Sequence, residues 1–218
     1  MRVGVLGTGM VGRALATKLV ALGHEVVMGS RQAGNPKATA WAAASGPSGS
    51  SGTFADAARS GELVVNATGG GVSLEALDMA GADNLAGKVL VDVANPLQRT
   101  PGVGQTLSVC NTDSLGEQIQ RRFPDARVVK TLNTVNADVM VRPSIVPGSH
   151  TMFLSGNDAA AKGQVRALLE SFGWPPADLL DLGDIGAARG MEMFLPLWLR
   201  LASATGSWRL NVKVTVGD

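Results

Sequence analysis

Six residues near the start of the chain, Gly7-Thr8-Gly9-Met10-Val11-Gly12, restrict its possible folds more than any other stretch. Before them stands a short apolar run, Arg2-Val3-Gly4-Val5-Leu6. After them, Ala14 to Leu22 favours a helix and repeats apolar residues at helical spacing. Gly23 stops that helix, and His24-Glu25-Val26-Val27-Met28-Gly29 reads as a second strand. A GxGxxG triplet alone is a weak signal, but between a strand and a helix that lead to another strand it predicts a phosphate-binding βαβ unit. The first glycine permits the tight turn, the second leaves space for a pyrophosphate, and the third lets helix pack closely on strand. Amides at the helix start then face the anion, aided by the helix dipole.

The end of the second strand selects the dinucleotide. An Asp or Glu about 20 residues after the glycines would bind a ribose 2′-hydroxyl and repel a 2′-phosphate. Ser30 and Arg31 stand there instead. A hydroxyl and a forked guanidinium suit a phosphate, and Lys37 can add charge from the next helix. These residues predict NADP(H).

Composition removes several alternatives. With 218 residues and 45% hydrophobic content the chain can bury a sizeable core. Its net charge of +1, without a basic run, gives no sign of nucleic acid. Cys110 is single, so the chain cannot build a disulfide framework or CxxC metal site, and a reducing cytoplasmic setting is expected. The first strand begins at Arg2, so cleavage of a leader is not expected. No apolar run reaches the ~18 residues of a membrane helix. The chain has no tyrosine, which excludes a Tyr-x-x-x-Lys proton relay. His24 and His150 have no neighbouring Asp or Cys in sequence and read as structural; no metal site is expected.

Further along, strand and helix patterns alternate. Asn35-Pro36 opens a helix, Ser45 to Gly52 reads as a loop, and Thr53-Phe54 as a short third strand. Asp56 to Ser60 is a short helix. Leu63 to Thr68 and Lys88 to Val93 read as buried strands, with Ser73 to Ala80 helical between them. Gln98 to Thr106 reads as a polar loop, Ser114 caps a helix to Arg122, and Arg127 to Lys130 is a strand. After Arg142-Pro143 come a strand at Thr151–Ser155, a helix at Asp158–Phe172, a strand at Leu179–Leu182, and a helix at Gly186–Thr205 kinked at Pro196. Trp208 to Val216 reads as an extended tail. The pattern predicts an α/β Rossmann-type, doubly wound and mostly parallel sheet with a smaller C-terminal α/β segment. Residues 1–140 form the expected NADP-binding part, and residues 141–218 a segment that covers the second substrate. The apolar Met191–Ala204 stretch predicts either a homodimer surface or packing on the chain's own sheet.

Ligands bind beyond the carboxyl ends of such strands. Ala67-Thr68-Gly69, followed by Gly70-Gly71, Ala94-Asn95-Pro96, and Asn133-Thr134-Val135 are therefore expected around the nicotinamide. Small residues leave room for flat rings, and Asn and Thr can hold them by hydrogen bonds; the alternative is that they close turns. Lys130 is the only ionisable residue expected near this rim, and a structural role is favoured over proton transfer because a lysine acid must be desolvated. A rim without a proton donor suits direct hydride transfer between cofactors, where orientation supplies the catalysis.

The glycine turn, the Leu22–Arg31 segment, Asp92-Val93-Ala94-Asn95-Pro96-Leu97, Val129–Val135, and the Met191–Leu210 region together resemble the F420-dependent NADP oxidoreductase family. The resemblance implies NADP(H) on the Rossmann half, with a deazaflavin (F420) or flavin-like ring stacked on the nicotinamide beneath the C-terminal part. It also implies hydride transfer between the two rings. Gly69-Gly70-Gly71 and Asn133 depart from the better-known archaeal members, which carry bulkier residues and a histidine there. Two alternatives stay open: a reductase of a small imine or carbonyl, and a non-catalytic NADP(H)-binding sensor.

Overall fold

The computed structural model describes residues 1–217. Among them, one sheet of eight strands is built from β1 (Arg2–Leu6), β2 (Glu25–Ser30), β3 (Gly49–Thr53), β4 (Leu63–Asn66), β5 (Val89–Asp92), β8 (Arg127–Thr131), β9 (Met152–Gly156) and β10 (Leu179–Asp181). The strands β6 (Leu97–Thr100) and β7 (Gly104–Leu107) pair only with each other. The main order is β10-β9-β8-β5-β4-β1-β2-β3. The run from β8 to β3 is parallel, as doubly wound folds require, and reverses direction of travel beside β1 and β4. β9 lies antiparallel to β8, and β10 parallel to β9. The C-terminal segment thus continues the same sheet.

Helices cover both faces. On one side lie α1 (Met10–Ala21), α2 (Pro36–Ala44), α7 (Ala137–Val141) and α8 (Ala159–Phe172), enclosing Val3, Val5, Leu15, Leu19, Trp41, Val139 and Phe172. On the other lie α3 (Phe54–Ser60), α4 (Ser73–Ala80), α5 (Ala82–Leu85) and α6 (Leu115–Arg122), enclosing Leu6, Val64, Leu77, Leu90, Ile119 and Val128. β4 and β5 are buried along their whole length, which explains why they read as uninterrupted apolar runs. α9 (Ala188–Thr205) closes the carboxyl edge.

The expected strands and long helices are present with shifts of one or two residues, apart from α1, which starts at Met10 directly after Gly9. Two expectations are corrected. The third strand is Gly49–Thr53 rather than Thr53-Phe54; it is an edge strand against β2, and an added Cβ at Gly49 would collide with Ser45. Small residues are needed there, so the strand lacks an apolar signature. The region 98–106 is a hairpin, not a loop, with Thr100 and Thr106 hydroxyls 2.6 Å apart and Gly102 and Gly104 at positive φ in the turn. A short helix, α7, starts after the Asn136 cap, whose side chain accepts from the Val139 amide.

α9 buries Met191, Glu192, Leu195, Trp198 and Ala202 within the chain and exposes Met193 and Leu197. The tail beyond it is extended. It straps the entry to β9 through the Thr151 amide to the Val212 carbonyl at 2.7 Å and Lys213 to Asp178 at 2.8 Å. His150 is buried there between the Pro143 carbonyl and the Asn211 amide, and packs edge-on to Trp174. His24 lies beside the N-terminal amine; partial burial and that charge lower its pKa. Both histidines are structural.

Candidate active site

The turn after β1 has the shape that a pyrophosphate needs. Gly7 has φ +120°, and a Cβ there would lie 2.5 Å from the Ala67 carbonyl oxygen. Gly12 faces the Gly7 carbonyl so closely that a Cβ would collide with it. Gly9 caps α1 and borders open space, with nothing within 4 Å of a Cβ position. Two glycines therefore permit packing within the protein, whereas the middle one faces the ligand side, beside the free amides of the helix start. Thr8 lies between Gly7 and Gly9 in the same turn.

Ser30 and Arg31 end β2. The Ser30 hydroxyl is almost fully buried and donates to the Gln32 carbonyl at 2.6 Å, so it shapes the turn and keeps lone pairs to accept with. Arg31 is exposed, and its guanidinium lies 3.6 Å from the Glu75 carboxylate of α4. Lys37 is on the other side of the sheet edge, in the first turn of α2, where it lines a groove with residues of α1.

At the carboxyl ends of β4, β5 and β8 there is a cavity of about 490 Å³. Met10, Val11, Ala67, Thr68, Gly69, Ala94, Asn95, Asn133 and Val135 all line it, so most of the expected rim residues meet here. Pro96 borders a smaller neighbouring cavity, and Thr134 is buried outside the lining. Gly69 and Gly71 leave the space beside them open. Gly70 is required for another reason, because a Cβ there would run into the Asn95 carbonyl. Among the described residues, no side chain lining the cavity is ionisable.

Asn95 and Asn133 bind each other. Asn95 Nδ2 donates to the Asn133 carbonyl at 2.8 Å, and Asn133 Nδ2 donates to Asn95 Oδ1 at 3.0 Å and to the Met191 carbonyl of α9 at 3.1 Å. Leu132, immediately before, has φ +60°, a strained conformation that such fixed contacts maintain. Asn133 Oδ1, Thr134 Oγ1 and Trp198 Nε1 are buried without a protein partner. Asn133 and Trp198 line the cavity, and their orphaned atoms there fit a ligand with both donors and acceptors, such as a nicotinamide carboxamide.

Lys130 is not at the rim. It is fully buried, with Nζ 2.8 Å from Asp92 Oδ2, 2.8 Å from Glu192 Oε1 and 2.5 Å from the Ala94 carbonyl. Burial opposes its charge, but the two carboxylates overcome that and hold its pKa above the usual lysine value. Burial raises the Glu192 pKa against the pull of Lys130. Glu192 also accepts from the amides of Leu115 and Gly116 at the start of α6. Asp92 accepts from Asn66 Nδ2 at 2.8 Å and from the Ala94 amide at 3.2 Å. The expectation that Lys130 is the sole ionisable group near the rim is therefore corrected: Asp92 and Glu192 are beside it, and all three are satisfied behind the cavity wall.

Sequence reasoning did not assign Leu195 and Trp198 of α9 to the cavity, nor Met140 of α7. Glu192, set among Met191, Met193, Phe194 and Leu195, was the available signal that this stretch of α9 faces something charged in its own chain.

A family model described as NADP oxidoreductase, coenzyme F420-dependent, matches residues 2–96. A crystal structure of a candidate F420-dependent NADP-reductase from Arthrobacter sp. FB24 is 53% identical, with a TM-score of 0.93, covering 99% of this chain and 100% of that one. Rat metalloreductase STEAP3 is 33% identical over 99% of this chain, which spans only 39% of that protein. An imine reductase from Streptomyces aurantiacus, 21% identical with a TM-score of 0.67 over 94% of this chain and 64% of that one, shares the fold.

Proposed function

The chain belongs to the F420-dependent NADP oxidoreductase family, and we propose that it transfers hydride between NADPH and a deazaflavin (F420) or flavin-like ring held in the 490 Å³ cavity. The observation that carries this reading is that, among the described residues, no ionisable side chain lines that cavity. Reduction of a carbonyl or imine needs a proton as well as a hydride at the reacting centre. A deazaflavin that accepts hydride at C5, or a flavin at N5, forms a delocalised anion or takes its proton from solvent at a remote atom, so the wall need not supply one.

NADPH supplies the hydride from C4 of its nicotinamide. The protein's part is to bind and to orient. Gly7, Thr8, Gly9 and Gly12 with the Met10 and Val11 amides would hold the pyrophosphate, and Ser30, Arg31 and Lys37 the 2′-phosphate. Ala67, Thr68, Gly69, Ala94, Asn95 and Asn133 would border the nicotinamide, with Asn133 Oδ1 free to accept from its carboxamide. Asn133, Thr134 and Val135 are positioning residues rather than acids or bases. Leu195 and Trp198 of the segment beyond residue 140 would cover the acceptor and exclude water. Holding two flat rings in contact is the kind of orientation that accounts for large rate factors without acid–base chemistry. Association of two copies through the exposed Met193 and Leu197 of α9 is part of the same reading.

The test is to mix the protein with NADPH and oxidised F420, and separately with FMN, while following NADPH absorbance. Oxidation of NADPH with either ring is expected. Tight NADPH binding without turnover on any ring would replace this reading with that of a sensor, and turnover only on imines or carbonyls would replace it with that of a reductase.

A further inference from the structure

Near the carboxyl ends of three adjacent strands lies a buried polar row. Asn66 on β4, Asp92 on β5 and Lys130 on β8 stand side by side in register, with no exposed surface. Apolar residues would pack such a row at no risk, whereas polar ones are tolerated only where each finds its partners. The Asp92 carboxylate, paired with the Lys130 ammonium at 2.8 Å, is an acceptor on every side. It draws one N–H of Asn66 at 2.8 Å, and the second N–H of that amide goes to Ser73 Oγ at 3.2 Å. The amide oxygen is left facing Thr68, where it accepts from the backbone N–H at 3.3 Å and from the hydroxyl at 2.7 Å. Turning the Asn66 amide over would set its oxygen against the carboxylate and its N–H against the Thr68 N–H.

This arrangement decides what Thr68 offers. A hydroxyl has one proton and two acceptor sites. The proton lies on Asn66, and Ser73, 2.8 Å away, fills one acceptor site; the Gly69 carbonyl is more distant from Ser73, at 3.3 Å. One acceptor site remains, and Thr68 lines the 490 Å³ cavity. A threonine without these neighbours would turn its hydroxyl to suit either a donor or an acceptor. Here it presents a lone pair only.

We propose that Asp92 is a positioning residue for the nucleotide: through Asn66 it fixes the Thr68 hydroxyl as an acceptor, and that acceptor takes one N–H of the nicotinamide carboxamide. The second N–H is left for Asn133 Oδ1, an unpartnered acceptor on a residue of the same lining. A carboxamide held by both its donors sets the rotation of the nicotinamide ring. The inference rests on the reading that puts the nicotinamide in this cavity, and is independent of the acceptor.

The test is calorimetric binding of NADP⁺ and of its 3-acetylpyridine analogue, in which a methyl replaces the carboxamide NH₂. The wild type should prefer NADP⁺. Thr68→Val, which keeps the shape and removes the hydroxyl, should lower that preference about three- to tenfold, and Thr68→Ser should restore it. Asp92→Asn leaves one oxygen where Lys130 and Asn66 each need one. The charged ammonium takes it, an N–H then faces Asn66, and that amide turns over and frees the Thr68 proton. The preference should fall as in Thr68→Val. Asn66→Ala cuts the relay while Asp92 stays paired with Lys130, and should lower the preference even if the Asp92 variant does not fold. Equal losses of both nucleotides in Thr68→Val, with the ratio unchanged, would mark a structural role and overturn the contact. A ratio that falls in Thr68→Val but holds in Asn66→Ala would overturn the role of Asp92. Absence of hydride transfer to any ring overturns the proposed reaction and leaves this comparison intact. A wild type that binds neither nucleotide overturns both.

Discussion

The Lys130 ammonium lies 2.8 Å from the Glu192 carboxylate at a point where neither is open to solvent. Glu192 belongs to α9, and Lys130 to β8 in the middle of the sheet. With Asp92 on β5 and the α6 amides, the pair fixes α9 to the carboxyl edge at the residue next to Met191, whose carbonyl holds Asn133. Leu195 and Trp198, one and two turns further along α9, reach the cavity from that anchor. The charges therefore act on the site through position, and among the described residues no ionisable side chain lines the cavity.

Replacing Lys130 by Met leaves Asp92 and Glu192 buried without their counter-charge. Breaking a buried pair this way costs about 3–5 kcal/mol, to be read by chemical denaturation. Hydride transfer by the remaining folded protein should persist; its loss with intact NADPH binding would assign Lys130 to the chemistry. The sign of the pH effect follows from the raised lysine pKa. Its stabilisation is fully present below the unfolded lysine value and is lost only as pH rises through the higher folded value. Wild-type thermal stability should therefore decline in strong alkali more steeply than that of the variant.

The dinucleotide half was legible in the sequence because its determinants are local. Strand, Gly7–Gly12 turn, helix and Ser30-Arg31 lie within thirty-one residues; Gly7 and Gly12 answer contacts inside that unit or at the adjacent Ala67, and Gly9 borders open space. The Glu192 partner of Lys130 is sixty-two residues away, and no periodicity links them. β3 escaped because a glycine- and serine-rich edge strand has no apolar pattern, and the β6–β7 hairpin because its exposed residues look like a loop. Which residues of the C-terminal segment line the cavity was not legible for a related reason: an apolar helix in sequence does not say which of its faces meets the site.

The three glycines of the turn should separate by experiment. Gly7→Ala forces a side chain against the Ala67 carbonyl at φ +120°, and should destabilise the fold by about 1–3 kcal/mol or more. Gly9→Val meets no protein atom near its Cβ and sits at φ −74°, so the melting temperature should hold. Titration of that variant with NADPH should show severe loss of binding, because its side chain fills the phosphate space. Retained NADPH affinity in Gly9→Val would place the pyrophosphate elsewhere.

Arg31 and Glu75 should have opposite effects on nucleotide selection. Removing a charge-assisted contact costs about 1.5–3 kcal/mol, so Arg31→Ala should weaken NADPH binding by roughly ten- to a hundredfold and leave NADH unchanged. Glu75→Gln removes a competing carboxylate 3.6 Å from the guanidinium, and a modest gain in NADPH affinity is expected. Calorimetry with both nucleotides distinguishes these outcomes. Equal losses for NADH and NADPH in Arg31→Ala would detach Arg31 from the 2′-phosphate.

Acid should expose the surface network beneath α6. The Arg121 guanidinium binds Asp113 through two contacts and holds its pKa down at about 2. A depressed carboxylate contributes stability above its ordinary value of 3.8 and loses it as pH falls through about 2. Because Arg121 is exposed, the contribution is at most about 1 kcal/mol. Asp113→Asn should flatten that part of the acid-unfolding curve; an unchanged curve would show that the pair adds nothing.

Trp198 allows the cover to be tested separately from the dinucleotide site. Its ring is 5% exposed, lines the cavity and packs 5.7 Å from Trp208 of the tail. Truncation to Ala removes a buried aromatic and should cost about 3–5 kcal/mol. Trp198→Phe loses ring volume but also deletes an indole N–H that has no protein partner. An unsatisfied buried donor costs about 1–3 kcal/mol, so the two effects oppose and Phe should be much the milder change. In kinetics, the Ala variant should raise KM for the acceptor and leave NADPH affinity near wild type, because in the proposed arrangement α9 covers only the second ring. A parallel loss of NADPH affinity would mean that α9 holds the nicotinamide as well, and the acceptor would then have to approach from the Gly69–Gly71 side.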